Sequence, residues 1–157
     1  MTKLMANRAE LWNTWLEAHL WIDRPDGSGW WHISPRPDGE VGDWPLAVPV
    51  YILTAYNPRG QELSLEENER RLADLDAYLK KELVAAVPSL GSSTDGSWKE
   101  PGLALLDLDE KRALDIARRF QQAAIYAWSA DRLEVVGALH GGRASVGWSL
   151  DDAEPPT

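Results

Sequence analysis

One segment constrains this chain more than any other. Val48 to Tyr56 (VPVYILTAY) is almost continuously apolar and rich in β-branched and aromatic side chains. That pattern is a strand buried on both faces, and the run is far shorter than a membrane span requires. It stops at Asn57-Pro58-Arg59-Gly60, a turn cluster. A strand covered on both sides needs a layer above and a layer below, so the flanking segments must supply them.

The following residues supply one layer. Ser64 opens a helix, with Glu67 as its capping-box partner, and Leu65, Leu72, Leu75, Leu79 and Leu83 form its apolar stripe. Glu66/Arg70, Glu67/Arg71 and Asp76/Lys80 sit four apart on the outer surface. The helix ends before Pro88. Asp95-Gly96 is a hairpin turn joining Leu90–Ser93 to Ser97–Leu106. Asp107, with Glu110 three later, caps a second helix with the inner face Ala113, Ile116, Ala117 and Phe120. Ala123–Trp128 and Leu133–Gly137 form a closing hairpin.

From residue 48 the order is therefore β-α-β-β-α-β plus an extra strand, which predicts an α+β, ferredoxin-like antiparallel sandwich. Right-handed crossovers put its first and third strands at the centre and both helices on one face. The other face needs cover, and the tryptophan-rich first 47 residues are the candidate. Leu4, Leu11, Trp12, Trp15, Leu16, His19 and Ile22 recur at helical spacing over residues 4 to 22. Between Asp23 and Pro45 the chain is broken by prolines and glycines, and only Trp30–Ile33 reads as a strand. The expected organisation is one domain over 1–157: a helical and loop-rich arm (1–47), an α+β core (48–148) and a frayed acidic tail (149–157).

Charge and composition narrow the function classes. The chain has 16 Lys+Arg against 25 Asp+Glu, a net charge of −9 that disfavours nucleic acid and anionic membrane surfaces. No cysteine is present, which excludes disulfides, thiolate metal sites and a Cys nucleophile. The start, MTKLMANRAELW, is too polar for a signal-peptide core. His19, His32 and His140 show no zinc-type spacing, and Asp107, Asp109 and Glu110 read as cap chemistry, so neither metal nor cofactor is expected.

The predicted topology gathers unusual polar residues at one sheet edge: Tyr56, Asn57, Asn68, Asp95, Trp98, Glu100 and Gln121. Asn57 either closes an Asx-type turn or faces a ligand. Asn68 lies on the leucine stripe, where a buried amide needs partners, either loop carbonyls or a bound molecule. Trp98 and Glu100 alternate onto one strand face, an aromatic platform beside a carboxylate. Gln121 lies at the end of the second helix as an amide partner for Glu100 or the loop.

Thr54-Ala55-Tyr56-Asn57-Pro58, Glu67-Asn68 with Leu72 and Leu75, Asp95-Gly96-Ser97-Trp98-Lys99-Glu100 and Arg119-Phe120-Gln121-Gln122-Ala123 resemble, in order, an uncharacterised bacterial family, domain of unknown function 3293. The resemblance spans about residues 50 to 128 and implies a small cytoplasmic bacterial protein, without supplying an activity. It leads one to expect serine where this chain has Gly102, and glycine where it has Gln121; alignment of the family's glutamine with Gln122 would shift that position by one. Three readings follow. The first is a non-catalytic domain binding a small polar ligand or peptide at the edge. The second is a small enzyme with Glu100 as general acid/base, oriented by Asn57 and Gln121. The third is a subunit presenting Trp30 and Trp31, or its acidic helices, to a protein partner or a second copy.

Overall fold

The computed structural model describes residues 8–157. Its elements are α1 (Arg8–Glu17), β1 (His19–Asp23), β2 (Trp30–Arg36), β3 (Val50–Leu53), α2 (Leu65–Lys81), β4 (Ala86–Ser92), β5 (Lys99–Leu105), α3 (Glu110–Arg119), β6 (Ala124–Trp128), β7 (Leu133–Gly137) and β8 (Arg143–Asp152). The pairings between these named strands are all antiparallel, in the order β1-β2-β8-β7-β6-β3-β5-β4, and β4 pairs back onto β1. The described residues form a closed eight-stranded barrel.

The expected open ferredoxin-like sandwich is therefore wrong. The arc β6-β3-β5-β4 does place β3 and β5 between the other two strands. On one side, however, β7 and β8 extend it, and on the other β1 and β2, until the edges meet. Closure satisfies the edge groups that an open sheet would leave bare.

Most of the error lies in the first 47 residues. The helix expected over residues 4 to 22 stops at Glu17, and Leu4 lies outside the described residues. His19 to Asp23 forms β1 instead, with Leu20 and Ile22 buried and His19 and Trp21 on the opposite face. Pairing on both sides, to β2 and β4, overrides the local helical period. The tail also differs: Asp151 and Asp152 pair with His32 and Trp31 rather than fraying. Pro88 lies inside β4, at a position where β4 pairs β5 but β1 has already left, so no ladder needs its missing N–H.

The alternation of β3 divides the core in two. Val50 and Ile52 face the barrel interior with Leu20, Ile22, Trp31, Ile33, Trp128 and Trp148. Tyr51 and Leu53 face outward onto Leu75 and Leu79 of α2 and Ile116 and Ala117 of α3. The interior is filled, not hollow. Trp31, Trp44, Trp128 and Trp148 meet edge to face with ring centroids 4.7–6.1 Å apart. The Trp148 indole also donates to the Ser129 carbonyl at 2.9 Å. Trp31 is thus a core residue, only 8% exposed, and cannot be presented to a partner.

Both long outer helices have side-chain caps. The Ser64 hydroxyl accepts from Glu67 N and donates to the Glu67 carboxylate. Asp109, not Asp107, caps α3 by accepting from Arg112 N at 2.8 Å, while Asp107 takes a left-handed conformation at φ 56°. Among the described residues, no helix is long and apolar enough to cross a membrane.

Candidate functional site

The last residues of β3 lead into a loop that sets the geometry of one barrel mouth. Thr54 Oγ1 donates to the Pro101 carbonyl at 2.6 Å and accepts from Tyr56 N, fixing the chain as it leaves the sheet. Asn57 then adopts φ 48°, a left-handed conformation that asparagine tolerates better than most residues. This turns its amide inward. Asn57 Oδ1 accepts from Leu63 N at 3.0 Å and from Asn68 Nδ2 at 2.9 Å. Asn68 Oδ1 accepts in return from Asn57 N at 2.9 Å. The remaining Asn57 donor, Nδ2, reaches Glu100 Oε1 at 3.1 Å.

Glu100 is the chemically unusual member. It lies on the interior side of β5, with Ala104 and opposite Gly91 of β4, at the mouth rather than in the filled core. Loss of water around the carboxyl pushes its pKa up to about 7, against the hydrogen bonds from Asn57 and Trp98 that favour the charged form. Its charge also helps to raise the pKa values of Tyr56 and Tyr126, whose principal cause is burial. Tyr126 donates its hydroxyl to the Trp15 carbonyl at 2.9 Å, so the end of α1 closes over the same mouth. The Trp98 indole packs over Gly91 beside Leu20, where a Cβ on Gly91 would come within 3.3 Å of the ring.

Five of the seven expected residues meet here: Tyr56, Asn57, Asn68, Trp98 and Glu100. Asp95 does not join them. Its carboxylate is taken by Ser93 and Ser97 within the exposed turn, and those bonds depress its pKa to about 2. Gln121 approaches only through its backbone, its carbonyl accepting from Arg59 N at 2.8 Å. It sits at φ 61°, the conformation for which glycine is favoured, and this turns the following residue inward. Gln122 is the buried amide, donating to the Tyr56 and Phe120 carbonyls at 3.1 and 3.3 Å.

Arg71 was missed by the sequence reading, which paired it with Glu67 on the outer surface. Its guanidinium instead turns inward to the Ala55 carbonyl at 2.7 Å and to the Phe120 carbonyl, tying two loops together. Nothing in the i,i+4 charge pattern distinguishes Arg71 from Arg70. Only the carbonyls freed where β3 and α3 end call for a cation there.

The two amides saturate each other and the backbone, so Asn57 and Asn68 build the mouth rather than wait for a ligand. The carboxyl of Glu100, half-buried beside Trp98, retains acceptor capacity. Two surface grooves lie elsewhere, one of about 590 Å³ along Trp12, Leu16 and Gly142 and one of about 340 Å³ beside Arg24 and Trp30. No residue of the Glu100 mouth lines either.

Fold and site together define a closed antiparallel barrel with a tryptophan-packed interior and a carboxyl–amide cluster at one mouth. Residues 53–125 match the family described as protein of unknown function (DUF3293). The match contains Asn57, Asn68, Arg71, Trp98, Glu100 and Gln122, and leaves the barrel-closing strands β1, β2 and β8 outside. No curated protein and no solved structure matches the chain.

Proposed function

We propose that this chain is a binding domain that takes a small polar ligand, or the polar end of a peptide, at the barrel mouth formed by Glu100 and Trp98. The observation that carries the reading is the Glu100 carboxyl: held in place by Asn57, short of water, and on the border between its neutral and charged forms at pH 7. Such a group accepts from an amine, amide or hydroxyl, and a cationic ligand would draw it fully into the charged form. Trp98 supplies the flat apolar area beside it. The net charge of −9 favours neutral or cationic ligands over nucleic acid and anionic membranes. The family resemblance supports the reading that this is a bacterial, cytoplasmic protein.

A screen of amines, amino acids and short peptides, read by Trp98 fluorescence and by the ¹³C shift of the Glu100 carboxyl, tests the reading. A ligand that moves both signals, and loses affinity in Glu100→Gln and Trp98→Phe, supports it. Ligands that perturb the protein only at other surfaces overturn it. The same neutral-range carboxyl favours a second reading, a small enzyme with Glu100 as general acid/base. Chemical change in a bound ligand, abolished by Glu100→Gln while binding persists, would select it. A third reading is a subunit that docks a protein partner or a second copy; light scattering at rising concentration tests the second copy, and not a foreign partner.

A further inference from the structure

The outer wall of the barrel opposite the filled interior carries a second polar group, assembled by β1, β2 and β8. Leu20, Ile22, Ile33 and Leu150 turn inward, so His19, Trp21, His32, Ser34 and Asp151 turn outward. His19 Nδ1 lies 2.9 Å from His32 Nε2, and the Ser34 hydroxyl lies 3.4 Å from each of those nitrogens. Behind them, Asp151 Oδ1 accepts from His32 Nδ1 at 2.8 Å. With a proton on Nδ1 in that bond, the Nε2 lone pair of His32 points into the triangle. Trp21 stacks on His32 with centroids 4.6 Å apart and 9° between the planes, which fixes the ring's tilt.

We propose that His19, His32 and Ser34 bind a divalent transition-metal ion of the kind that prefers imidazole, with Asp151 orienting His32 from behind. A tetrahedral ion with metal–nitrogen bonds of about 2.0–2.1 Å spaces its ligands roughly 3.3 Å apart. The observed edges of 2.9, 3.4 and 3.4 Å come close to one face of that tetrahedron. One proton shared between the two imidazoles and one hydroxyl hydrogen serve the three lone-pair atoms of the triangle. An ion satisfies all three lone pairs at once. Two imidazoles and a hydroxyl select Zn²⁺, Ni²⁺ or Cu²⁺ over Mg²⁺ and Ca²⁺. Among the described residues, no group of three His, Cys, Asp or Glu is arranged to hold a metal, so the hydroxyl completes the set. The thirteen-residue separation of His19 and His32 hides it, because strand pairing rather than a short motif brings them together.

Calorimetric titration of the tag-free full chain with Zn²⁺, and the visible absorption of Co²⁺, test the site. One ion per chain is expected, with at least about tenfold weaker binding in His19→Ala and in His32→Ala. Asp151→Asn, which leaves the ligands in place but removes their orienting carboxylate, should weaken binding about 10–100-fold. His140→Ala should bind like the unaltered chain. Zn²⁺ affinity equal to that of the His19→Ala/His32→Ala double variant overturns the proposal. Where an alanine variant fails to fold, ¹⁵N spectra of the imidazoles in the unaltered protein decide. Zn²⁺ must shift His19 Nδ1 and His32 Nε2 together; rings left unmoved, or a shift confined to His140, refute it.

Discussion

Glu100 holds its proton well above the pH at which an ordinary glutamate loses it, and this ties stability to pH at a single residue. Its pKa rises from 4.5 to about 7 on folding, so the folded state binds the extra proton throughout that interval. The stabilisation is complete below pH 4.5 and is lost as pH climbs through 7, at a cost on the order of 3 kcal/mol. Glu100→Gln keeps an acceptor for Asn57 and removes the titration. Urea unfolding should find the variant equal to the unaltered chain near pH 5 and more stable by about 2–3 kcal/mol at pH 8. Asn57 separates backbone from side chain. Asn57→Gly accepts φ 48° and loses only the amide bonds, about 1–3 kcal/mol, whereas Asn57→Ala adds about 1 kcal/mol of strain. Both should raise the Glu100 pKa further in an NMR titration, because the Asn57 donor favours the charged form. At this scale Asn68 was legible, since an amide on a leucine stripe must find partners. Gln122 was not legible, because a left-handed Gln121 shifts which amide turns inward, and helical spacing cannot carry past that residue.

Helices were more legible than strands because their ends carry chemistry of their own. Ser64 and Glu67 form the capping box their spacing announces. At α3 two aspartates compete for the same role, and geometry decides between them: Asp109 caps, Asp107 turns the chain. Asp109→Ala should therefore cost about 1 kcal/mol in chemical denaturation. Asp107→Gly relieves φ 56° without touching the cap, and should be neutral or stabilising by up to about 1 kcal/mol. The reverse order of effects would return the cap to Asp107. β3 was legible because it is buried on both faces. β1 was lost because His19 and Ile22 also fit a helical stripe, and β8 because RASVGWSLDD hides Val146, Trp148 and Leu150 among small and polar residues. Each reads as a strand only once its neighbours are known.

Closure is a property of the whole molecule, and it depends on a seam the sequence presents as a tail. Ser149, Leu150, Asp151 and Asp152 pair with Ser34, Ile33, His32 and Trp31, far back in the chain. Without them β2 keeps only part of its ladder, Leu150 leaves the interior, and an unpaired edge faces solvent. Four lost pairs and a bared apolar position weigh heavily against the roughly 5–15 kcal/mol that stabilises a domain. Deleting 149–157 should therefore abolish the near-ultraviolet circular dichroism of the packed tryptophans, or drive the chain into oligomers on a sizing column. Deleting only 153–157 removes no strand pair, and among its contacts is an exposed bond from Lys99 to the Thr157 carbonyl. That shorter deletion should shift the melting temperature by no more than about 2 °C. Equal tolerance of both deletions would mean that the barrel stays shut without its last seam, and that the energy of closure resides in the interior tryptophans rather than in the β2–β8 ladder.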